Sequence, residues 1–397
     1  MAYENHQNRE FDVVVFGATG FTGRLVAEYL AKSYAGSDLR WAMAGRSPVK
    51  LLAVRNEIGA SDDTPLIQAD SADRASLDSM CSRAKVVLST AGPYTLYGDP
   101  LVAACVTSGT DYVDLCGEDN FIYDCVQKYS NSAAKSGSRI LFSCGFDSIP
   151  FDLGVKFTQA KALAQFGEPC RVVRGRVTEL NGQFSGGTIA SIKAGVGVAM
   201  QSDEHMRRAL NPFALTPSGE GPRQPDGTKP LFEEDLDSWA APFVMAAINT
   251  KNVHRTNALL GHPYGNDFAY SEMMLTGPGE TGKSLAEAMA SDRSMMGDDA
   301  PKPGEGPSRE AREAGHYAVV FLGETASGKR ITGKVSGDMD PGYGSTSKML
   351  SESALCLIHG SQGAQTQGGI WTAAAAIGED LLAVLPERAG VVFELVD

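Results

Sequence analysis

The sequence predicts an α/β protein: a doubly wound parallel sheet, an inserted second α+β domain, and C-terminal helices that pack back on the first domain. Three observations carry this expectation. Short apolar runs alternate with helical segments through residue 150, a glycine-rich turn follows the first of those runs, and after Pro150 the rhythm changes to longer strands. The chain's 397 residues exceed a single domain of roughly 150 and suffice for two cores.

The first run, FDVVVFG at 11–17, is β-branched and apolar and ends at glycine; the ATGFTGRLVAEYLAKSYA behind it carries Leu25, Ala27, Tyr29 and Leu30 at helical spacing. The alternation repeats with LRWAMAG (39–45), a helical VKLLAVRNEIG, PLIQAD (65–70), a polar helix from Arg74, and AKVVLSTAG (84–92). Next come a helical LVAACVTSG (101–109), TDYVDLCG (110–117), a helix through the 120s and 130s, and SRILFSCGF (138–146). Strands apolar along their whole length need cover on both faces, which is the condition of a parallel sheet. Beyond Pro150, RVVRGRVTEL (171–180), FAYSEMML (268–275), HYAVVFLGET (316–325) and KRITGKVSGD (329–338) read as strands of a mixed or antiparallel sheet. The Pro/Gly-rich segments 216–230 and 297–310 read most simply as solvated loops, with an active-site lid as the alternative. From Ser345 the pattern is helical again and closes on the strand-like GVVFELV. The expected domains are 8–155, completed by 345–397, and 156–344 for substrate binding and dimerisation.

Composition narrows the function. With 43% hydrophobic and 21% charged residues the chain is neither disordered nor fibrous. A net charge of −13 repels phosphate backbones and anionic lipid surfaces, so no nucleic-acid partner is expected. Seven cysteines, none spaced as CxxC, read as reduced thiols of a cytoplasmic protein. The polar MAYENHQNRE is unlike a secretory signal, and the uncharged 353–378 is too interrupted by Gln, Ser, Thr, His and Gly to span a membrane. No cationic amphipathic helix announces peripheral lipid contact, which stays open.

Gly17, Gly20 and Gly23 form G-x-x-G-x-x-G directly after a buried strand and at a helix start, where backbone amides and the helix dipole favour a pyrophosphate. Gly17 permits the turn, Gly20 allows close approach of the cofactor, and Gly23 lets the helix lie on the strand. Ala18, Thr19, Phe21 and Thr22 complete this cradle, the threonines adding hydroxyl donors. The sheet is therefore expected to be a Rossmann domain. The second strand ends without an Asp or Glu and is followed by Arg46 and Ser47, which favours NADP (NADPH), since a guanidinium meets the 2′-phosphate bidentately. Asp70 and Ser71 either meet the adenine amino group or cap the next helix. Thr90, Ala91, Gly92 and Pro93 lie where the ribose and nicotinamide belong. Tyr94 and Tyr97 are phenols close by, serving either as proton donors or as rings that pack the loop. None of the twelve tyrosines has a lysine four residues on, so the catalytic pair of short-chain dehydrogenases is absent. G-x-S-x-G, H-E-x-x-H and the P-loop are absent too, and six dispersed histidines indicate no metal site.

VVVFGATGFTGRLVAEYL, AMAGRS, STAGPYTLYG, DYVDLCGE and CGFDSIPFDLG together resemble the saccharopine dehydrogenase-like oxidoreductases, within them the trans-acting enoyl reductase branch. FSGGTIAS, DPGYGSTSKMLSESALCL and GGIWTAAAAIGEDLL extend the resemblance over nearly the whole chain. It implies an NADP-dependent Rossmann domain with an inserted domain over the nicotinamide, and reduction of an enoyl C=C bond in a lipid or polyketide acyl chain, in trans and carrier-bound. A homodimer is compatible with it. In that mechanism Tyr94 is the leading proton donor and Asp147, in GFDSIP, a positioning group. Two alternatives stand beside it: a saccharopine-type amino-acid or imine dehydrogenase, whose carboxylate-binding cations could include Arg171, Arg174 and Arg176, and a non-catalytic NADP(H)-sensing protein.

Overall fold

Strands buried from end to end need helices on both sides, and the computed structural model, which describes residues 6–396 except 184, 293, 295–301 and 303, supplies them. The first sheet takes β1 (Phe11–Phe16), β2 (Trp41–Gly45), β3 (Leu66–Gln68), β4 (Ala84–Ser89), β5 (Asp111–Asp114) and β6 (Arg139–Leu141). Between and after them run α1 (Phe21–Ser33), α2 (Pro48–Glu57), α3 (Arg74–Arg83), α4 (Tyr94–Ser108), α5 (Asp119–Ser136) and α6 (Ile149–Phe166). In chain order there follow β7 (Cys170–Asn181), α7 (Gly186–Ala199), α8 (Asp203–Leu210), β8 (Leu231–Glu233), β9 (Ser238–Pro242), α9 (Ala246–Leu259), β10 (Ala269–Gly277), α10 (Gly279–Ser291) and α11 (Arg309–Glu313). The chain ends through β11 (His316–Thr325), β12 (Arg330–Gly337), α12 (Thr346–His359), β13 (Gly369–Trp371), α13 (Ala373–Arg388) and β14 (Val391–Val396).

The first sheet has the order β13-β6-β5-β4-β1-β2-β3 with every pairing parallel, the doubly wound arrangement with a seventh strand added from near the C-terminus. Alternate residues of β1 serve opposite faces. Val13 and Val15 join a core with Val26 and Leu30 of α1 and Met349 and Leu350 of α12, whereas Val14 and Phe16 join Leu77, Leu101 and Phe121 of α3, α4 and α5. The hydroxyls of Tyr29 and Tyr34 both donate to Glu352, at 2.6 and 2.7 Å, and tie α1 to α12. α12 thus packs back on the first sheet, as the sequence predicts.

The second sheet is mixed, ordered β14-β12-β11-β7-β10-β9-β8, with β7 and β10 parallel and the other pairings antiparallel. Here one expectation needs correction: residues 345–397 do not return as a unit to the first sheet, because β14 pairs with β12 at the edge of the second. Only Val391 of β14 is buried, a pattern suited to an edge strand and unsuited to a parallel sheet covered on both faces. The short β8, β9 and β13 escape a periodicity reading because three to five residues hold no recognisable period. Segment 216–230 contains no helix or strand; of segment 297–310, residues 297–301 and 303 lie outside the described residues, and Arg309 opens α11. No described helix is long and apolar enough to cross a membrane.

α6 joins the sheets, leaving the carboxyl end of the first and packing across β11 and β12 of the second. Its approach is close enough to require missing side chains. A Cβ on Gly154 would lie 2.3 Å from the Phe321 ring, and one on Gly333 would lie 2.2 Å from Thr158 Oγ1. Replacing Gly333 by valine raises β-propensity but overpacks this contact, so G333V should destabilise the protein by about 1–3 kcal/mol in urea unfolding, with Thr158→Ala restoring part of the loss in the double variant.

Candidate active site

The carboxyl ends of β1, β2, β4 and β5 open on one cleft of ≈ 610 Å³. At its nucleotide end Gly17 takes φ +87°, a conformation that favours glycine, and its amide donates to Ala44 O at 3.0 Å. A Cβ on Gly23 would come within 2.2 Å of Gly17 O, so a side chain there would lift α1 off the turn. α1 begins at Gly20 with no side-chain cap and no acidic residue in its first turn. Its first amides are left for an anion, and the dipole favours one. Thr19, Phe21 and Thr22 line the cleft with Gly17 and Gly20, while Ala18 is buried beneath the turn and donates to Ala44 O at 3.2 Å.

Arg46 lines the same end, exposed and with no ion pair among the described residues, which fits the additional phosphate of NADP. Ser47 is placed as the N-cap of α2, its hydroxyl oxygen accepting from Lys50 N at 3.3 Å. Ser71 lines the cleft; Asp70 does not, and its carboxylate accepts from Ala72 N at 3.0 Å. The helix-capping alternative for these two passes to Asp73, which accepts from Ala75 N and Ser76 N at 3.1 and 3.4 Å. Thr90, Ala91 and Gly92 face the cleft, whereas Pro93 stands as the N-cap of α4 outside the lining.

At the far end the two sequence-derived catalytic candidates are in different situations. The Tyr94 ring packs beside Phe121, its hydroxyl donates to Ser89 O at 3.1 Å, and burial pushes the phenol well up. Tyr97 stands at the mouth, 44% exposed. Asp147 lies half-buried at the neck of the cleft among Leu115, Met245 and Ile248, and burial pushes its carboxyl up to about 7. Two other carboxylates are already engaged. Glu118 accepts from Tyr94 N and Thr95 N, both at 2.8 Å, and from the Thr95 hydroxyl; Asp119 pairs with Lys251 at 3.1 Å. Arg46 is the one cation lining the cleft among the described residues. The arginines that alternate along β7 are spent within the second sheet: Arg171 pairs with Asp267 at 2.8 Å, and Arg174 and Arg176 pair with Glu233.

The opposite wall was not apparent from sequence. α7 contributes Thr188, Ser191, Ile192 and Gly195, and the start of α9 adds Ala247 and Ile248. Its signal was present in GGTIASIKAGVGVA, a helix of small and hydroxyl residues without a charged stripe, but spacing alone does not say which neighbour such a helix covers. Tyr343 holds it: the phenol meets Ser185 N and lies 2.7 Å from Thr188 Oγ1, and its ring stands edge-on to Phe21 of the glycine turn at 5.1 Å. The turn that carries Tyr343, Pro341–Ser345, is capped by Asp340, which accepts from Tyr343 N and Gly344 N at 3.0 and 2.7 Å.

The family model described as the saccharopine dehydrogenase NADP binding domain matches residues 13–141. A trans-acting enoyl reductase of Mycobacterium bovis (strain BCG) is 39% identical over 97% of this chain and 97% of its own. A Mycobacterium tuberculosis (strain H37Rv) protein that carries the same name provisionally is 41% identical over 96% and 97%. The solved apo saccharopine dehydrogenase (L-Glu forming) of Saccharomyces cerevisiae is alike in fold, with a TM-score of 0.55 at 13% identity, covering 98% of this chain and 100% of that one.

Arg46→Ala should weaken NADPH binding by roughly 10–100-fold in calorimetric titration and leave NADH almost unchanged, as expected for loss of charged hydrogen bonds to one phosphate. An equal loss for both nucleotides would exclude that contact.

Proposed function

The chain belongs to the saccharopine dehydrogenase-like oxidoreductases, in the branch of the trans-acting enoyl reductases, and on that premise we propose that it reduces the C=C bond of a carrier-bound enoyl chain with NADPH. The observation that carries this reading is the charge of the substrate end. An amino-acid adduct with several carboxylates needs cations around the reacting carbon. Here Arg46 lies at the nucleotide end, Glu118 and Asp119 are engaged, and Asp147 is left among apolar side chains. Such a site suits a neutral, apolar acceptor. A wall of α7 and α9 over the cleft is also more than a cofactor sensor requires.

The glycine turn, the first amides of α1 and Arg46 would hold the dinucleotide, and when bound it supplies the hydride for the β-carbon. The chain's own residues do the rest. Asp147, protonated at neutral pH in part because burial raises its carboxyl to about 7, gives its proton to the α-carbon. Hydroxyls of Thr188 and Ser191 on the α7 wall stand in the same cleft to stabilise charge that develops on the acyl oxygen. Tyr94, with its proton committed to Ser89 O, orders the end of β4 and the start of α4. The roles read from the sequence are thereby exchanged: Asp147 is the donor and Tyr94 the positioning group.

Turnover with 2-enoyl thioesters, followed as NADPH oxidation, tests the reading; turnover of saccharopine in their place would overturn it. Asp147→Asn should lower kcat by roughly 10²-fold or more, whereas Tyr94→Phe should retain activity. The sign of the pH dependence follows from the protonated form being active. Wild-type kcat/KM should be level below the raised value and fall as pH rises through about 7, and a profile that instead rises across that range would remove Asp147 as donor.

A further inference from the structure

A second, smaller chamber of ≈ 100 Å³ opens beside the neck of the cleft and shares Leu115, Asp147, Thr188 and Met245 with it. We infer that this chamber binds the aliphatic segment of the acceptor adjoining the reacting carbons, so that the substrate lies bent around Asp147 with its carrier end toward the main cleft. The inference rests on the reductase reading of that cleft.

The chamber's chemistry points to an alkyl chain. Its walls are Phe146, Leu180, Phe243 and Pro341. Of the polar side chains that line it, Gln183 is exposed, and those of Thr346 and Tyr343 are engaged elsewhere. Thr346 Oγ1 donates to Pro341 O at 2.8 Å and accepts from Phe146 N at 2.9 Å, and the Tyr343 hydroxyl is held by Ser185 N and Thr188. No cation lines it among the described residues. A polar ligand would lose water against the apolar walls, whereas a methylene chain loses nothing. The walls are also set before binding: Phe146 is packed edge-on against Phe151 and Tyr317 at 5.3 and 4.9 Å, and Phe243 against Phe151 at 5.7 Å. Leu180, 37% exposed at the end of β7, marks the outer rim, beyond which a longer chain re-enters solvent.

Calorimetric titration of the NADP⁺-saturated protein with butanoyl-, hexanoyl- and octanoyl-coenzyme A tests this without turnover. Wild-type affinity should rise by about three- to fourfold per methylene buried until the chain reaches the rim. Leu180→Trp, which narrows the chamber from a partly exposed position, should flatten that rise while leaving the affinity for NADP⁺ unchanged. Leu180→Ala, which removes wall surface, should weaken octanoyl-coenzyme A more than butanoyl-coenzyme A. Affinity independent of chain length in the wild type, or a rise that persists in L180W, would overturn the inference. A length-dependent affinity in a protein that oxidises no NADPH with enoyl thioesters would instead retain the chamber and refute the reductase reading.

Discussion

The geometry of the cleft depends on a helix that buries an unusual number of polar side chains. α9 places Asn249, Lys251, Asn252, Arg255 and Thr256 out of solvent, and each meets a polar partner. Asn249 donates to Glu272 of β10 at 2.7 Å, and the other partners come from the carboxyl end of the first sheet and the segments beside it. Asn252 donates to Ser148 Oγ at 2.9 Å, Thr256 to Asp152 at 2.6 Å, Lys251 pairs with Asp119 at 3.1 Å, and Arg255 donates to Ile370 O at 2.7 Å and to Leu215 O. A helix that belongs in sequence to the second sheet is thereby locked over the first. Its opening residues, Ala247 and Ile248, then form cleft wall, and the same contacts hold Ser148, the neighbour of Asp147, in place.

The cleft that results is electrically asymmetric within a chain of net charge −13. One end carries uncapped helix amides and a guanidinium without an ion pair among the described residues, the complement of a dinucleotide with an extra phosphate. The other carries carboxyl groups, yet Glu118 is spent on the start of α4 and Asp119 on Lys251, which leaves Asp147. A carboxyl without a counter-ion in an apolar surround favours its neutral form, and that is the condition for a proton donor. On the proposed reading, a cleft end in which no cation stands among the described residues suits both a neutral carboxyl and a neutral acceptor.

Much of the nucleotide end was legible in the sequence because it is local. The turn at Gly17, the close contact of Gly23 with Gly17 O and the placing of Arg46 after β2 each follow from a strand, a turn and a helix contiguous in the chain. The substrate end was not legible in the same way. Tyr94 and Asp147 both line the cleft near the right strand ends, but where the phenol sends its proton is settled by Ser89, and whether a carboxyl is charged is settled by what encloses it. Ser47 and Asp70 show the same limit on a smaller scale, for each is held by a helix start or a turn two or three residues away.

By itself the sequence determined the alternation of strand and helix, the glycine turn, the missing acid after β2 and the resemblance carried by its motifs, since all of these are written in short-range spacing and residue type. The tertiary structure decided the rest: that β14 edges the second sheet, that α7 and α9 wall the cleft, and that Asp147 is enclosed enough for burial to raise its carboxyl. These depend on contacts between residues far apart in the chain, such as Phe146 and Thr346 at 200 positions, where burial and pairing decide the outcome and local propensity does not.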